Sequence, residues 1–201
     1  MKHSYKKQVV DMLVNEWDLG KTRSGAKGKT AGWIYLYEIL EESEELVLEI
    51  DNGKVIGICG YAKWNSKKHI FRKKFYHILK VLLMNSPLVK NKQEMYKYHK
   101  NYDYTPESME GYFDGEISIL ILNNNYRGKG IGKKMLLEIF EKAKNSGMKN
   151  IQILTDQASN YEFYEHLGCQ KVYETTVNSG ELNKQGVLVE KEQGYIYEKK
   201  L

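Results

Sequence analysis

Residues 123–140 read NNNYRGKGIGKKMLLEIF, with three glycines, Gly128, Gly130 and Gly132, set among four basic residues, Arg127, Lys129, Lys133 and Lys134. Glycine lets a backbone N–H approach an anion with no Cβ in the way. The first N–H groups of a helix lack intrahelical acceptors, and the helix field favours negative charge beside them. Basic side chains at such a helix start suit a phosphate cradle; a nucleic-acid patch or a plain surface turn are the other readings of the same residues. A dinucleotide fold is the weaker phosphate reading. Its third glycine position is Lys133 here, although Asp156 could pass for the ribose-binding acid, and the chain that follows is too short for the remaining parallel strands.

A second glycine-rich stretch, GKTRSGAKGKT at 20–30, invites a P-loop reading and fails on register. Arg23 stands where the first glycine must be, and a helix precedes it where a strand is needed. Only two cysteines occur, Cys59 and Cys169, both in apolar surroundings and without metal-ligand spacing. No metal is therefore expected, and a reducing cytoplasmic setting is. The start MKHSYKKQVV lacks the apolar core of a signal peptide, and ILKVLLM is too short to span a bilayer, so no membrane partner is expected.

The elements that must position this stretch are legible from periodicity. Helices are expected over 5–19, with Val9, Met12, Leu13 and Trp17 inward, and over 30–43, with Trp33, Ile34, Tyr37 and Leu40 inward. Two β-rich runs around Asn52-Gly53 predict a hairpin, because a type I′ turn needs positive φ at both central residues. Next comes an inserted helical pair, the first helix burying Phe71, Phe75, Ile78, Leu79, Leu82 and Leu83, the second running to about residue 102. A buried strand over 116–122 feeds the glycine stretch. A helix over 131–145, a strand over 150–155, a short helix over 161–167 and strands over 169–177 and 194–201 follow.

Charge is uneven along the chain. The net charge is +5, yet residues 63–100 hold eleven Lys/Arg against one acid, Glu94. Such a segment is either a solvated helix face or a surface for an anionic partner. The acidic run EILEESEEL at 38–46 pulls the other way.

RGKGIG, Arg127 to Gly132, fits the [Q/R]-x-x-G-x-[G/A] signature of the GNAT superfamily of N-acetyltransferases, and FYEHLGCQKV further on is similar to that family's FYEKLGF segment. The resemblance runs over about 116–177. It implies an α/β (α+β) fold, a mixed and mostly antiparallel sheet flanked by helices, as one domain over 1–201. A helical insertion would occupy about 65–110 and an acetyl-CoA-binding core 116–177.

By that resemblance, backbone amides of Arg127, Gly128, Lys129, Gly130, Ile131, Gly132 and Lys133 hold the pyrophosphate of acetyl-CoA. Leu120, Ile121 and Leu122 carry the pantetheine arm where the strand splays from its neighbour, and the Leu122 N–H serves as oxyanion donor. Glu116 is the implied base and Tyr164 the implied acid toward the departing thiolate. The family's pantetheine asparagine corresponds to Asn160 or to the position of Gln157. Cys169 replaces a phenylalanine and reads as a small buried hydrophobe.

The expected function is an acetyl-CoA-dependent N-acetyltransferase acting on a primary amine of a small molecule or peptide by direct attack. The alternative is a non-catalytic coenzyme A sensor or a nucleic-acid-docking module on the same scaffold. A homodimer is compatible with either; nucleic acid is not the expected partner.

Overall fold

In the computed structural model, residues 1–19, 26, 28–90, 92–93, 104–177, 181–182, 188–189 and 192–201 are described. Two N-terminal helices, α1 (His3–Glu16) and α2 (Lys29–Glu42), precede the hairpin β1 (Glu45–Asp51) and β2 (Lys54–Lys63). Its turn is the expected one, with φ of 47° at Asn52 and 78° at Gly53. Helix α3 (Ile70–Met84) leads towards β3 (Gly115–Leu122), α4 (Ile131–Asn145), β4 (Asn150–Asp156), the short α5 (Glu162–Glu165) and β5 (Gln170–Val177). A small pair, β6 (Glu181–Leu182) and β7 (Leu188–Val189), stands before β8 (Glu192–Lys200).

The main sheet has six strands in the order β1-β2-β3-β4-β8-β5. Only the β3–β4 contact is parallel; the other four are antiparallel. This is the mixed, mostly antiparallel sheet that the sequence predicts. Side chains alternate between its faces. Ile58 joins a core with Val9, Leu13, Ile34 and Leu36 of α1 and α2, whereas Cys59 joins another with Met135, Leu136 and Ile139 of α4. Helices thus cover both faces.

Ser118, the lone polar residue of ISILIL at 117–122, sits in a β-bulge. Gly60 pairs with Ile119 and Tyr61 with Ile117, so Ser118 has no opposite number, and its Oγ lies 2.7 Å from Ser43 Oγ. A bulge bends and re-aims its strand. This one separates Glu116 from the run that follows.

Three expectations need correction. Helix α1 stops at Glu16, leaving Trp17 at the surface, and α2 keeps Trp33 and Tyr37 only half-buried while Tyr35, Leu36 and Ile39 enter the core. The larger correction concerns α3. Most of its apolar stripe faces outward: Phe71 is 87% exposed, Leu82 64%, and Phe75 and Ile78 are exposed as well, while Leu79 is half-buried and Leu83 packs against the core. The face turned to α2 is basic. Arg72 Nη2 donates to the Ser43 carbonyl at 2.6 Å, Lys73 lies 3.5 Å from Glu44, and Lys80 lies 2.8 Å from Glu41. The last carbonyls of a helix lack intrahelical donors and attract cations, so the acidic C-terminal end of α2 selects the charged face of α3. The second inserted helix lies largely outside the described residues, as does most of the 20–30 loop.

Candidate active site

The glycine stretch is a backbone site. Gly128 and Gly130 have φ of 75° and 76°, with open space where a Cβ would stand. No N–H group from Gly128 to Lys133 donates to a described residue. The helical ladder of α4 begins only with Lys134 N–H to the Gly130 carbonyl at 3.0 Å. Six consecutive N–H donors at a helix start make an anion cradle.

The basic side chains contribute less than their spacing predicts. Arg127 pairs with Glu16 of α1 at 3.1 Å, and its Nε donates to the Leu122 carbonyl. Lys134 pairs with Glu49 of β1 at 3.0 Å, and Lys129 lies over the Tyr126 ring. Lys133 remains exposed to solvent. Two of the four positive charges are thus matched within the fold, and they brace the loop instead of filling the cradle.

Beside the cradle the sheet opens. Strands β3 and β4 pair at only two positions, Gly115 with Ile151 and Glu116 with Gln152. Beyond them β3 stays paired to β2 as far as Leu122, and β4 to β8 as far as Asp156, so the two strands diverge as a fork. Asn123 N–H donates to the Ile56 carbonyl of β2 at 2.8 Å. The pleat therefore turns the Leu122 N–H to the opposite edge, into the fork. Leu120 and Ile121 lie on the same diverging stretch.

Glu116 sits at the apex. Its Oε2 accepts from Gln152 Nε2 at 3.1 Å, and Gln152 Oε1 accepts from Thr105 Oγ1 at 3.3 Å. Gln152 is 1% exposed, so this amide is locked in a buried chain. Sequence reading missed Gln152; the one available signal was a lone amide in the apolar strand NIQILT.

Tyr164 comes from α5 and packs into the core under α4, its ring 5.9 Å from that of Tyr197. Burial, then the nearby Cys59 and Cys169 thiols and Asp156, push its hydroxyl well above the usual phenol range. It keeps its proton at neutral pH. The turn beneath it is closed by Cys169 N–H to the Tyr164 carbonyl at 3.1 Å, with Gly168 at φ 71° as the expected helix stop. Cys169 is buried, and burial pushes its thiol up to about 11, which suits the packing role. Gln157 and Asn160 lie in the turn between β4 and α5, both exposed, and the Asn160 carbonyl accepts from Phe163 N–H.

A family model described as Acetyltransferase (GNAT) family matches residues 95–169, the span that holds the fork, the cradle and Tyr164. Over that span the chain is similar to the GNAT acetyltransferases. Solved structures agree with this fold at low identity. PH1933 from Pyrococcus horikoshii OT3 superposes with a TM-score of 0.62 at 14% identity, over 100% of this chain and 93% of that one. An aminoglycoside 6′-N-acetyltransferase complexed with coenzyme A gives 0.58 at 15%, over 99% and 92%. An agmatine N-acetyltransferase gives 0.57 at 11%, over 100% and 97%. The sequence matches no curated protein.

The fold has a further opening on the α2–α3 side of the sheet, a cavity of about 470 Å³ that reaches Glu116. Ala62 and Trp64 at the end of β2 form part of its lining, and α2 and α3 supply charged residues. Glu116 thus looks into a pocket on one face of the sheet, while Tyr164 belongs to the core on the other. The fork is the opening in the sheet between them.

Proposed function

We propose that this protein transfers the acetyl group of acetyl-CoA to a primary amine of a small molecule or peptide. The fork carries this reading: a parallel pair broken after two rungs, with an anion cradle at one end and a carboxylate at its apex. The cradle from Gly128 to Lys133 takes the diphosphate through backbone donors, while the Arg127 N–H is engaged by the Asn124 carbonyl at 3.2 Å. The pantetheine arm runs along Leu120 to Leu122, and Asn160 is the polar contact beyond it. We place this core at 116–177 and the insertion at about 65–110, within one unit over 1–201.

The amine enters from the Glu116 side. An alkylamine is protonated at neutral pH and attacks only once neutral, so Glu116 accepts the proton that nitrogen sheds. Nitrogen then attacks the thioester carbonyl; the C–N bond forms, the C–S bond breaks, and the oxyanion between these events takes the Leu122 N–H. Tyr164, held in its protonated form, gives its proton to the departing thiolate and is restored by the second proton that nitrogen sheds as the amide forms. No acetyl-enzyme is required.

Acetyl-CoA should raise the melting temperature where NAD does not, and free thiol should appear with at least one member of an amine panel that includes aminoglycosides and agmatine. Absence of stabilisation by acetyl-CoA overturns the cradle. Stabilisation without thiol release from any amine leaves a coenzyme A-binding module and removes the transferase.

A further inference from the structure

The acidic run at 38–46 and the basic segment after residue 63 oppose each other in the sequence, and the fold sets them across one cavity. Glu41 and Glu42 of α2 form part of one wall; Lys73, Lys74 and His77 of α3 form part of the other. Most of these charges are matched. His77 Nδ1 lies 2.8 Å from Glu41, Lys73 lies 3.5 Å from Glu44, and Lys80 lies 3.4 Å from Glu38 and 2.8 Å from Glu41. Glu42 and Lys74 form no ion pair with a described residue, and Lys63, a further cation of the lining, donates instead to the Ser146 carbonyl. Glu42 lies near Glu116, whose charge is one of those that hold its carboxyl up, after burial in the crevice and the charge of Glu38.

The cavity is therefore bipolar. A carboxyl pair, Glu42 and Glu116, stands where the sheet opens, and an unmatched ammonium stands on α3. Lys74 is exposed, so a neutral amine leaves it to solvent, whereas an acidic group on the acceptor gives it a partner. Resting on the acetyltransferase reading above, we propose that the acceptor is a small amine carrying one acidic group, with its ammonium toward Glu42 and Glu116 and its carboxylate or phosphate on Lys74. Ala62 and Trp64 also line the cavity and offer apolar surface to the carbon body. At about 470 Å³ the cavity suits a molecule of amino-acid size.

The test uses matched acceptors that differ only in the acidic group: β-alanine against β-alaninamide, and phosphoethanolamine against ethanolamine. Thiol release gives kcat/KM, and calorimetry in the presence of coenzyme A gives affinity without turnover. At least one acidic partner should exceed its neutral match by about fivefold, the upper range for a charge pair with an exposed ammonium. That ratio should collapse in Lys74→Met and persist in Lys74→Arg, with acetyl-CoA stabilisation confirming that each variant is folded. The two acids separate a carboxylate source from a phosphate source. Neutral matches that equal or exceed their acids overturn the proposal, as does a ratio unmoved in Lys74→Met. If no amine yields thiol, the transferase reading fails instead, and the calorimetric ratio still decides the proposal.

Discussion

Gln152 Nε2 donates to Glu116 Oε2 at 3.1 Å on the last rung where β3 and β4 are paired. The amide that holds the carboxylate thus sits on the neighbouring strand, at the point where the strands part. Glu116 is fixed by the same feature that opens the sheet.

Removing either partner should separate their roles. Glu116→Gln should lower kcat by about 10² at neutral pH, the lower range for a general base, with much of the loss recovered as rising pH deprotonates the amine. Gln152→Leu leaves Glu116 intact but without this donor. Its kcat should fall less, and the acid limb of its pH–rate profile should move to higher pH, because the donor favours the ionised carboxylate. A profile identical to wild type would remove the positioning role.

Tyr164→Phe should reduce turnover by about 10² while leaving acetyl-CoA affinity nearly intact. The same hydroxyl has a stability signature. Its folded-state pKa is raised, so the unfolded chain ionises first, and stability falls as pH rises above about 10. Thermal melts between pH 8 and 11 should show that decline flattened in Tyr164→Phe.

Gly130→Ala forces a left-handed residue to carry a Cβ, costing about 1 kcal/mol of stability. It also sets a methyl group at the mouth of the cradle. Gly132→Ala lacks the positive φ, and its Cβ would meet only Phe163 Cζ at 3.8 Å. Calorimetry with acetyl-CoA should show a clear loss of affinity for Gly130→Ala, and melts should show a smaller stability cost for Gly132→Ala.

Glu42 gives a pH dependence of definite sign. Burial in the crevice, then the charges of Glu38 and Glu116, push its carboxyl up to about 8 from 4.5. Between those values the folded chain holds a proton that the unfolded chain releases, so this group's contribution to stability declines as pH rises through that window. Glu42→Gln keeps a neutral side chain at every pH. It should gain stability relative to wild type between pH 5 and 8.5 in denaturant titrations.

What the sequence determined by itself was local. Glycine spacing and helix periodicity sufficed to set the six consecutive N–H groups of 128–133 at a helix start, and Asn52-Gly53 set the hairpin turn through its own φ values. The short helix around Tyr164 and its Gly168 stop were likewise legible because they are contiguous, whereas the role of Tyr164 was implied only by the family resemblance. The tertiary structure decided whatever depends on a partner distant in sequence. Periodicity identified the apolar stripe of α3 but not which face would pack, since the acidic end of α2 drew the basic face inward. Spacing placed Arg127 and Lys134 at the cradle, but Glu16 and Glu49, far away in sequence, claimed their charges. The chain showed one acidic and one basic segment with no means of relating them. Only folding set Glu42 and Lys74 in the lining of one cavity, because electrostatic pairing depends on distance in space and not on separation along the chain.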